Sequence, residues 1–181
     1  SGADLNREQW LAVAELCARK GLIPFVDMAY QGLGSSLDED AFGVRMLAEK
    51  MPEMLIATSC SKNFGLYRER TGTLFIVGAS GEQAANAGSQ LFSKIRSHYS
   101  MPPSHGAAIV ETILGDQQLN QMWQTELQGM RQRIQGLRES LVQHIAASDI
   151  DADFSFIEQQ FGMFSFLGIT PQQVELLRTR Y

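Results

Sequence analysis

The sequence predicts an α/β fold in which a mainly parallel sheet with flanking helices is followed by part of a smaller α+β domain. Over residues 1–115, segments with helical spacing of apolar residues alternate with short apolar runs, as expected when helices alternate with buried strands. Over residues 116–181, one long amphipathic segment precedes further short apolar runs. We therefore expect a first domain to end near residue 115 and an incomplete second domain to occupy residues 116–181.

Capping residues, glycines and prolines set the boundaries of the predicted elements. Asp4 or Asn6 can cap the first helix, and Gly21 can end it. Pro52 marks the end of the second helix, and Pro171 begins the last one. The predicted elements are, in order, a helix over 7–20, a strand over 22–28, a helix from 36 or 38 to 50, strands over 54–58 and 73–78, a helix from about 80 to 96 or 98, helices over 104–114 and 116–147, strands over 154–157 and 162–167, and a helix from 171 onward.

Two of the predicted helices carry apolar stripes that we expect to be buried. In the helix from about residue 80, Ala84, Ala85, Leu91, Phe92 and Ile95 are expected to point inward. The long helix repeats apolar residues at helical spacing, which indicates core or interdomain packing rather than a cofactor site. The members of this second stripe are Leu119, Met122, Trp123, Leu127, Met130, Ile134, Leu137, Leu141 and Ile145.

Composition and charge exclude several classes of function. The net charge of -5 and the scattered lysines and arginines favour neither a nucleic acid nor a membrane surface as partner. No signal peptide is visible, and no apolar run is long enough to span a membrane. Cys17 and Cys60 lack the spacing of a disulfide framework or a redox motif, so we expect a reducing cytoplasm. His98, His105 and His144 do not cluster with other ligands, so no metal site is expected.

Polar residues follow two of the predicted strands at the points where those strands end. The segment 27–32 begins with Asp27 and contains Tyr30, and the segment 59–72 contains Lys62. The separation between the two segments fits one strand–helix–strand unit, so both strand ends should open on the same edge of the sheet. In open α/β sheets this edge is where ligands bind. The alternative for Lys62 is a surface-loop position, which is the commoner environment of a lysine.

The residue types at this edge suit pyridoxal phosphate. The aldehyde of this cofactor needs an amine, and its ring nitrogen needs a carboxylate to stay protonated and to withdraw electrons. Its phenolic oxygen needs a donor, and its phosphate needs hydroxyls and a guanidinium. A lysine that is desolvated and close to another cation can lose its proton and form an imine with a carbonyl. Taken singly, the aspartate could be a strand-end cap and the tyrosine a half-buried loop residue. Single serines and arginines in such loops are more often loop hydroxyls or members of surface ion pairs.

Residues 59–72, with the sequence SCSKNFGLYRERTG, resemble the fold-type I, class I aminotransferases, and in particular their aspartate and aromatic-amino-acid branch. The resemblance covers essentially the whole chain. It includes the segments DMAYQG at 27–32, YSMPPSHG at 99–106, MRQRI at 130–134 and GMFSF at 162–166. The first of the two expected domains would then be the C-terminal half of the family's large cofactor-binding domain, and the second would be part of its small domain.

The resemblance assigns cofactor-ring contacts to three residues. Lys62 would be the Schiff-base lysine and the base that moves a proton between the amino acid α-carbon and the cofactor. Asp27 would hold the protonated ring nitrogen. Tyr30 would hydrogen-bond the phenolic oxygen of the cofactor.

The resemblance also assigns phosphate and substrate contacts. Ser59, Ser61 and Arg70 would bind the cofactor phosphate. Arg96 corresponds to the arginine that binds the distal carboxylate of the substrate across a homodimer interface. Phe164 matches a phenylalanine near the substrate, and plain core packing is its alternative.

The implied activity is transfer of an amino group from aspartate or an aromatic amino acid to 2-oxoglutarate. The chain departs from the family pattern at both ends. The segment Ser1-Gly2-Ala3-Asp4 resembles the tail of the family's Asn-Pro-Thr-Gly motif, and the chain stops at Tyr181, before the family's arginine for the substrate α-carboxylate. Met101 also stands where the aspartate enzymes often have asparagine. We therefore expect a fragment of about half the protein that is inactive in isolation. The alternatives are a non-catalytic fragment and another reaction of the same cofactor, decarboxylation or elimination.

Overall fold

The computed structural model describes residues 2–181. Two compact units are formed, one by the N-terminal residues through Asp4 together with Gln132–Tyr181 and the other by Leu5–Arg131. The elements of the chain are helix α1 (Arg7–Lys20), strand β1 (Phe25–Met28), helix α2 (Phe42–Lys50), strands β2 (Met54–Ser59) and β3 (Gly72–Val77), helices α3 (Gly81–Tyr99), α4 (His105–Gly115) and α5 (Gln117–Ala146), a 3-10 turn (Ser155–Ile157) and helix α6 (Pro171–Arg180).

Helix α1 has the bounds that the sequence predicts, because local side chains fix both of its ends. The Asn6 side chain accepts a hydrogen bond from the Gln9 backbone N–H at 2.8 Å, and the Gln9 side chain accepts one from the Asn6 N–H at 2.9 Å. This reciprocal capping box satisfies two donors at the start of the helix. At the other end Gly21 adopts a left-handed conformation with φ 62°.

Strands β1, β2 and β3 form one sheet in that order within the unit Leu5–Arg131. Strands β1 and β2 are parallel, as the strand–helix–strand prediction requires. Strand β3 departs from the parallel arrangement, because it pairs antiparallel with β2 and places Gly72 opposite Ser59. The segment between β2 and β3 contains no crossover helix, and without one the chain returns directly as an antiparallel neighbour.

The core of this unit lies where α1 and α2 pack on one face of the sheet. The backbone of Gly43 on α2 lies so close to the Trp10 ring that a Cβ would overlap it. Strand β1 begins at Phe25 rather than at Leu22, because Pro24 has no N–H to donate to a ladder. The buried members of this core are Ala14, Cys17, Met46, Leu47, Met51, Met54 and Ile56.

The expected burial of the stripes on α3 and α5 is only partly realised. No residue of α3 is buried, and Phe92 is 74% exposed. Ala84, Leu91 and Ile95 are half-buried on the one face of α3 that meets β3. Phe92 and Ala85 are exposed, so their predicted inward positions are wrong. On α5, Leu127 is the fully buried member of the predicted stripe.

The two strands predicted over 154–157 and 162–167 are wrong. Residues 154–157 form the 3-10 turn instead, and the Asp153 carboxylate accepts the Ser155 N–H at 2.8 Å at its start. Residues 162–167 contain no strand. The polar backbone groups of this second segment bond to side chains, so no partner strand is needed to satisfy them.

Arg138 and Gln160 hold the segment 162–166 within this unit. Arg138 is 6% exposed and donates hydrogen bonds to the Gly162 and Phe164 carbonyl oxygens at 2.7 and 2.9 Å. Burial lowers the pKa of its guanidinium from the ordinary value. The Gln160 amide accepts from the Phe166 N–H at 2.9 Å and donates to the Phe166 carbonyl at 3.1 Å.

Within residues 2–181, no helix combines the length and the apolar character needed to cross a membrane. The same residues contain no group of three or more His, Cys, Asp or Glu side chains that could hold a metal ion.

Candidate active site

The carboxyl ends of β1 and β2 lie side by side and carry the first candidate residues. Asp27 pairs with Ala57 across the parallel ladder, and Ser59 is the last residue of β2. Val26 packs against the core, so Asp27 points to the opposite face of the sheet, where its residue is exposed. Ser59 follows Ala57 by two positions and therefore shares that face with Asp27. The sheet thus presents a carboxylate and a hydroxyl on one face near one edge.

The loops that follow these strands bring Lys62 and Tyr30 together. The Lys62 Nζ lies 4.8 Å from the centroid of the Tyr30 ring. A cation at this distance from an aromatic face is attracted by the ring electrons. Both residues are half-buried, so the amine is partly shielded from water. The expectation that the two strand ends open on one edge is met by this contact.

The antiparallel direction of β3 returns Arg70 to the same edge. Gly72 pairs with Ser59, so the residues just before β3 lie beside the end of β2. Arg70 has a left-handed backbone with φ 52°, a conformation that costs a residue with a side chain about 1–2 kcal/mol. Its Nη1 donates to the Tyr67 carbonyl oxygen at 2.9 Å. This turn presents an exposed guanidinium at the edge that also carries Lys62.

Ser61 is oriented by the hydroxyl of Ser59. The Ser61 backbone N–H donates to the Ser59 Oγ at 3.1 Å, and the Ser61 residue is 4% exposed. Cys60, between them, is half-buried, and this burial raises the pKa of its thiol. The loop is also held at its far end, where the Glu69 carboxylate meets His105 Nδ1 at 2.9 Å.

A carboxylate that the sequence analysis did not single out fixes the loop after Tyr30. Asp40 Oδ2 accepts hydrogen bonds from the backbone N–H groups of Gly32 and Gly34 at 2.8 and 2.9 Å. Its Oδ1 accepts from the Ser35 N–H at 2.8 Å. The residues before α2 are thereby used in this turn, and α2 begins at Phe42 rather than at 36 or 38. The signal available in the sequence was an aspartate shortly after a glycine–serine loop.

We expect Asp40→Ala to lower the free energy of unfolding by about 1–3 kcal/mol, because several backbone donors lose their acceptor. Asp38→Ala is the matched control, since Asp38 makes an exposed ion pair with Arg45. Such a surface pair contributes less than about 1 kcal/mol. Urea unfolding of the two variants measures the difference, and equal losses would contradict the role of Asp40.

The two predicted substrate residues lie on other parts of the chain. Arg96 lies near the end of α3, where its Nη1 donates to the Ser100 hydroxyl on the same helix end. Phe164 belongs to the other compact unit, and its carbonyl oxygen accepts from Arg138. The roles of both residues stay predictions.

The functional groups at this edge of the sheet determine which ligands it can bind and which reactions it can support. It combines an amine beside a phenol ring, a carboxylate, two hydroxyls and a guanidinium. The guanidinium and the hydroxyls can bind an anionic ligand. The amine can attack the carbonyl carbon of a ligand and can later release it. The members are Asp27, Tyr30, Ser59, Ser61, Lys62 and Arg70.

Known proteins resemble this chain over its whole length. The family described as aminotransferase class I and II matches residues 1–181. The chain is 44% identical to the aromatic-amino-acid aminotransferase of Pseudomonas aeruginosa, with all of this chain and 45% of that protein covered. It is 46% identical to the aspartate aminotransferase of Escherichia coli, with all of this chain and 46% of that protein covered. The chain therefore spans about half the length of these relatives.

Solved structures show the same similarity. The aromatic-amino-acid aminotransferase from Burkholderia pseudomallei, covalently bound to pyridoxal phosphate, superposes with a TM-score of 0.96 at 45% identity. The match covers all of this chain and 45% of that one. A mitochondrial aspartate aminotransferase from Trypanosoma brucei superposes with a TM-score of 0.95 at 45% identity, again over all of this chain and 48% of that one. The predicted α/β fold class is confirmed, and the chain belongs to the aminotransferase class I and II family.

Proposed function

We propose that the protein carrying this chain is a pyridoxal-phosphate-dependent aminotransferase that moves the amino group of aspartate or an aromatic amino acid to 2-oxoglutarate. The observation that carries the proposal is the Lys62 amine 4.8 Å from the Tyr30 ring centroid, at the sheet edge where Asp27 is the next-to-last residue of β1. The names of the relatives supply the two classes of amino acid.

The residues at the edge fit the cofactor. Lys62 offers the amine for its aldehyde, and Tyr30 offers a donor for its phenolic oxygen. Asp27 offers a carboxylate for its ring nitrogen on the sheet face that it shares with Ser59. The hydroxyls of Ser59 and Ser61 and the exposed guanidinium of Arg70 suit its phosphate. When bound, this cofactor withdraws electrons from the carbon that carries the amino group.

The proposed function gives Lys62, Asp27 and Tyr30 each a defined role. Lys62 Nζ would act as the base that moves a proton between the substrate α-carbon and the cofactor. The Asp27 carboxylate would keep the cofactor ring nitrogen protonated. The Tyr30 hydroxyl would donate a hydrogen bond to the phenolic oxygen of the cofactor. Half-burial of Lys62 limits the access of water to the amine that moves the proton.

The remaining assignments rest on the family resemblance. We propose a homodimer in the cytoplasm, with amino acids and 2-oxo acids as substrates. Residues 1–115 would belong to the cofactor-binding domain and residues 116–181 to the small domain. Arg96 would bind the distal carboxylate of the substrate in the neighbouring subunit, since its guanidinium is exposed at the end of α3. Phe164 would lie near the substrate.

We expect Arg96→Leu to weaken aspartate as a substrate far more than phenylalanine, because a guanidinium binds a carboxylate through two hydrogen bonds. Lys94→Leu is the matched control, since Lys94 is an exposed cation on the same helix. The kcat/KM values for aspartate and phenylalanine measure the change. An equal loss for both amino acids would show that Arg96 has a structural role.

An assay with aspartate and 2-oxoglutarate tests the proposed reaction. Transamination produces oxaloacetate and glutamate in equal amounts, and a parallel assay with phenylalanine ranks the two donors. Formation of alanine and carbon dioxide from aspartate would instead show a decarboxylase on the same fold. Absence of any product with both donors from the whole protein that carries this chain would contradict the proposed function.

A further inference from the structure

One face of helix α5 contacts both loops of the candidate site. Trp123, Leu127 and Arg131 follow one another at intervals of four residues, which places them on one side of the helix. All three belong to the same compact unit as Lys62 and Tyr30. Trp123 and Leu127 belong to the stripe that the sequence predicts for packing, and no sequence pattern indicates a function for Arg131.

Trp123 fixes the chain directly after Lys62. Its Nε1–H donates to the Asn63 carbonyl oxygen at 2.7 Å. Its ring also stacks on Phe64, with the centroids 4.4 Å apart and the planes within 9°. The two residues that follow Lys62 are therefore held by one side chain of α5.

Leu127 and Arg131 fix the chain directly after Tyr30. Leu127 is 2% exposed and packs against Gly32, which has φ 90° and leaves no room there for a Cβ. Arg131 Nη1 donates to the Gly32 carbonyl oxygen at 2.8 Å. The turn after Tyr30 is thus held to α5 by an apolar contact and a charge-assisted hydrogen bond.

Asn63 ties the two loops to each other. Its Nδ2 donates to the Gln31 carbonyl oxygen at 3.3 Å, which joins the residue after Lys62 to the residue after Tyr30. The Asn63 residue is 9% exposed, and its Oδ1 is buried without a hydrogen-bond partner within the part of the chain that the structure describes. An unpaired buried amide oxygen destabilises the fold. A position selected for stability alone would favour a residue without this penalty.

We propose that Trp123, Leu127, Arg131 and Asn63 are positioning residues that set the Lys62 amine against the Tyr30 ring. They form no part of the cofactor-binding set and act through the two loops. The proposal deepens the proposed function and rests on it, because the geometry that they fix matters only if Lys62 and Tyr30 hold pyridoxal phosphate. The helix face then determines how tightly the cofactor is held and how its ring is oriented.

The variant Trp123→Phe tests the proposal, because it keeps an aromatic ring on Phe64 and removes the N–H donor. Trp10→Phe is the matched control, since Trp10 packs against α2 rather than against either loop. The protein is stripped of cofactor and titrated with pyridoxal phosphate, and urea unfolding of the stripped protein is measured in parallel. We expect Trp123→Phe to raise the dissociation constant about tenfold, the effect of losing one hydrogen bond.

The absorption band of the bound cofactor supplies a second readout, which a purely structural role would leave unchanged. We expect this band to shift in Trp123→Phe and to keep its position in Trp10→Phe, even where the control loses equal stability. Asn63→Ala removes the hydrogen bond to Gln31 and should likewise raise the dissociation constant and shift the band. This variant tests the proposal if Trp123→Phe does not fold. Normal affinity and an unshifted band in Asn63→Ala would overturn the proposal. A wild-type protein that does not bind pyridoxal phosphate would overturn the proposed function and this inference with it.

Discussion

Replacing Lys62 with alanine is expected to abolish transamination while the protein keeps its fold. Loss of a positioned proton-transfer group alone lowers a rate by about 10²–10⁴-fold, and this variant also loses the amine that attaches the cofactor. The side chain is half-buried, its amine faces the Tyr30 ring, and it is not part of the buried core, so its removal leaves the core intact. Steady-state rates with aspartate and 2-oxoglutarate, together with the circular dichroism spectrum, measure the two expectations.

Lys94→Ala is the control for this prediction, because Lys94 is an exposed lysine on α3 away from the two strand-end loops. It should retain the wild-type rate. If Lys62→Ala is folded and keeps more than a small fraction of the wild-type activity, Lys62 does not take part in the reaction.

Replacing Asp27 with asparagine is expected to slow proton removal from the substrate α-carbon by about 10²–10³-fold, the effect of losing one preorganised electrostatic contact in an active site. The variant keeps the size of the side chain at the end of β1 and removes only the negative charge that favours a protonated ring nitrogen. Exchange of the α-hydrogen of aspartate for deuterium, followed by nuclear magnetic resonance, isolates this step from the rest of the reaction.

Asp38→Asn serves as the control for the charge change, since Asp38 is paired with Arg45 at the surface. Its exchange rate should equal that of the wild-type protein. If Asp27→Asn exchanges the α-hydrogen at the normal rate, Asp27 does not hold the ring nitrogen.

Local sequence signals predicted the elements and the edge that carry the site. The capping box of Asn6 and Gln9 and the left-handed Gly21 depend on neighbours within a few residues, so the bounds of α1 follow from the sequence. The meeting of Lys62 and Tyr30 follows from one strand–helix–strand unit, whose parallel geometry is general. Both cases need no information about distant parts of the chain.

Long-range contacts account for what the sequence analysis missed. Trp123 reaches Asn63 across 60 positions, and Arg131 reaches Gly32 across 99 positions. No local pattern indicates which carbonyl an indole or a guanidinium will meet. The wrong strand over 162–167 has the same origin, because a strand needs a partner and the carbonyl oxygens there bond to Arg138 instead.

Reduction with borohydride tests most directly whether Lys62 holds pyridoxal phosphate. The protein is mixed with the cofactor, reduced, digested and mapped by mass spectrometry, which distinguishes the four lysines of this chain, Lys20, Lys50, Lys62 and Lys94. We predict that the reduced cofactor is found on the peptide that contains Lys62. Stoichiometric label on another lysine, with Lys62 unmodified, would contradict the account.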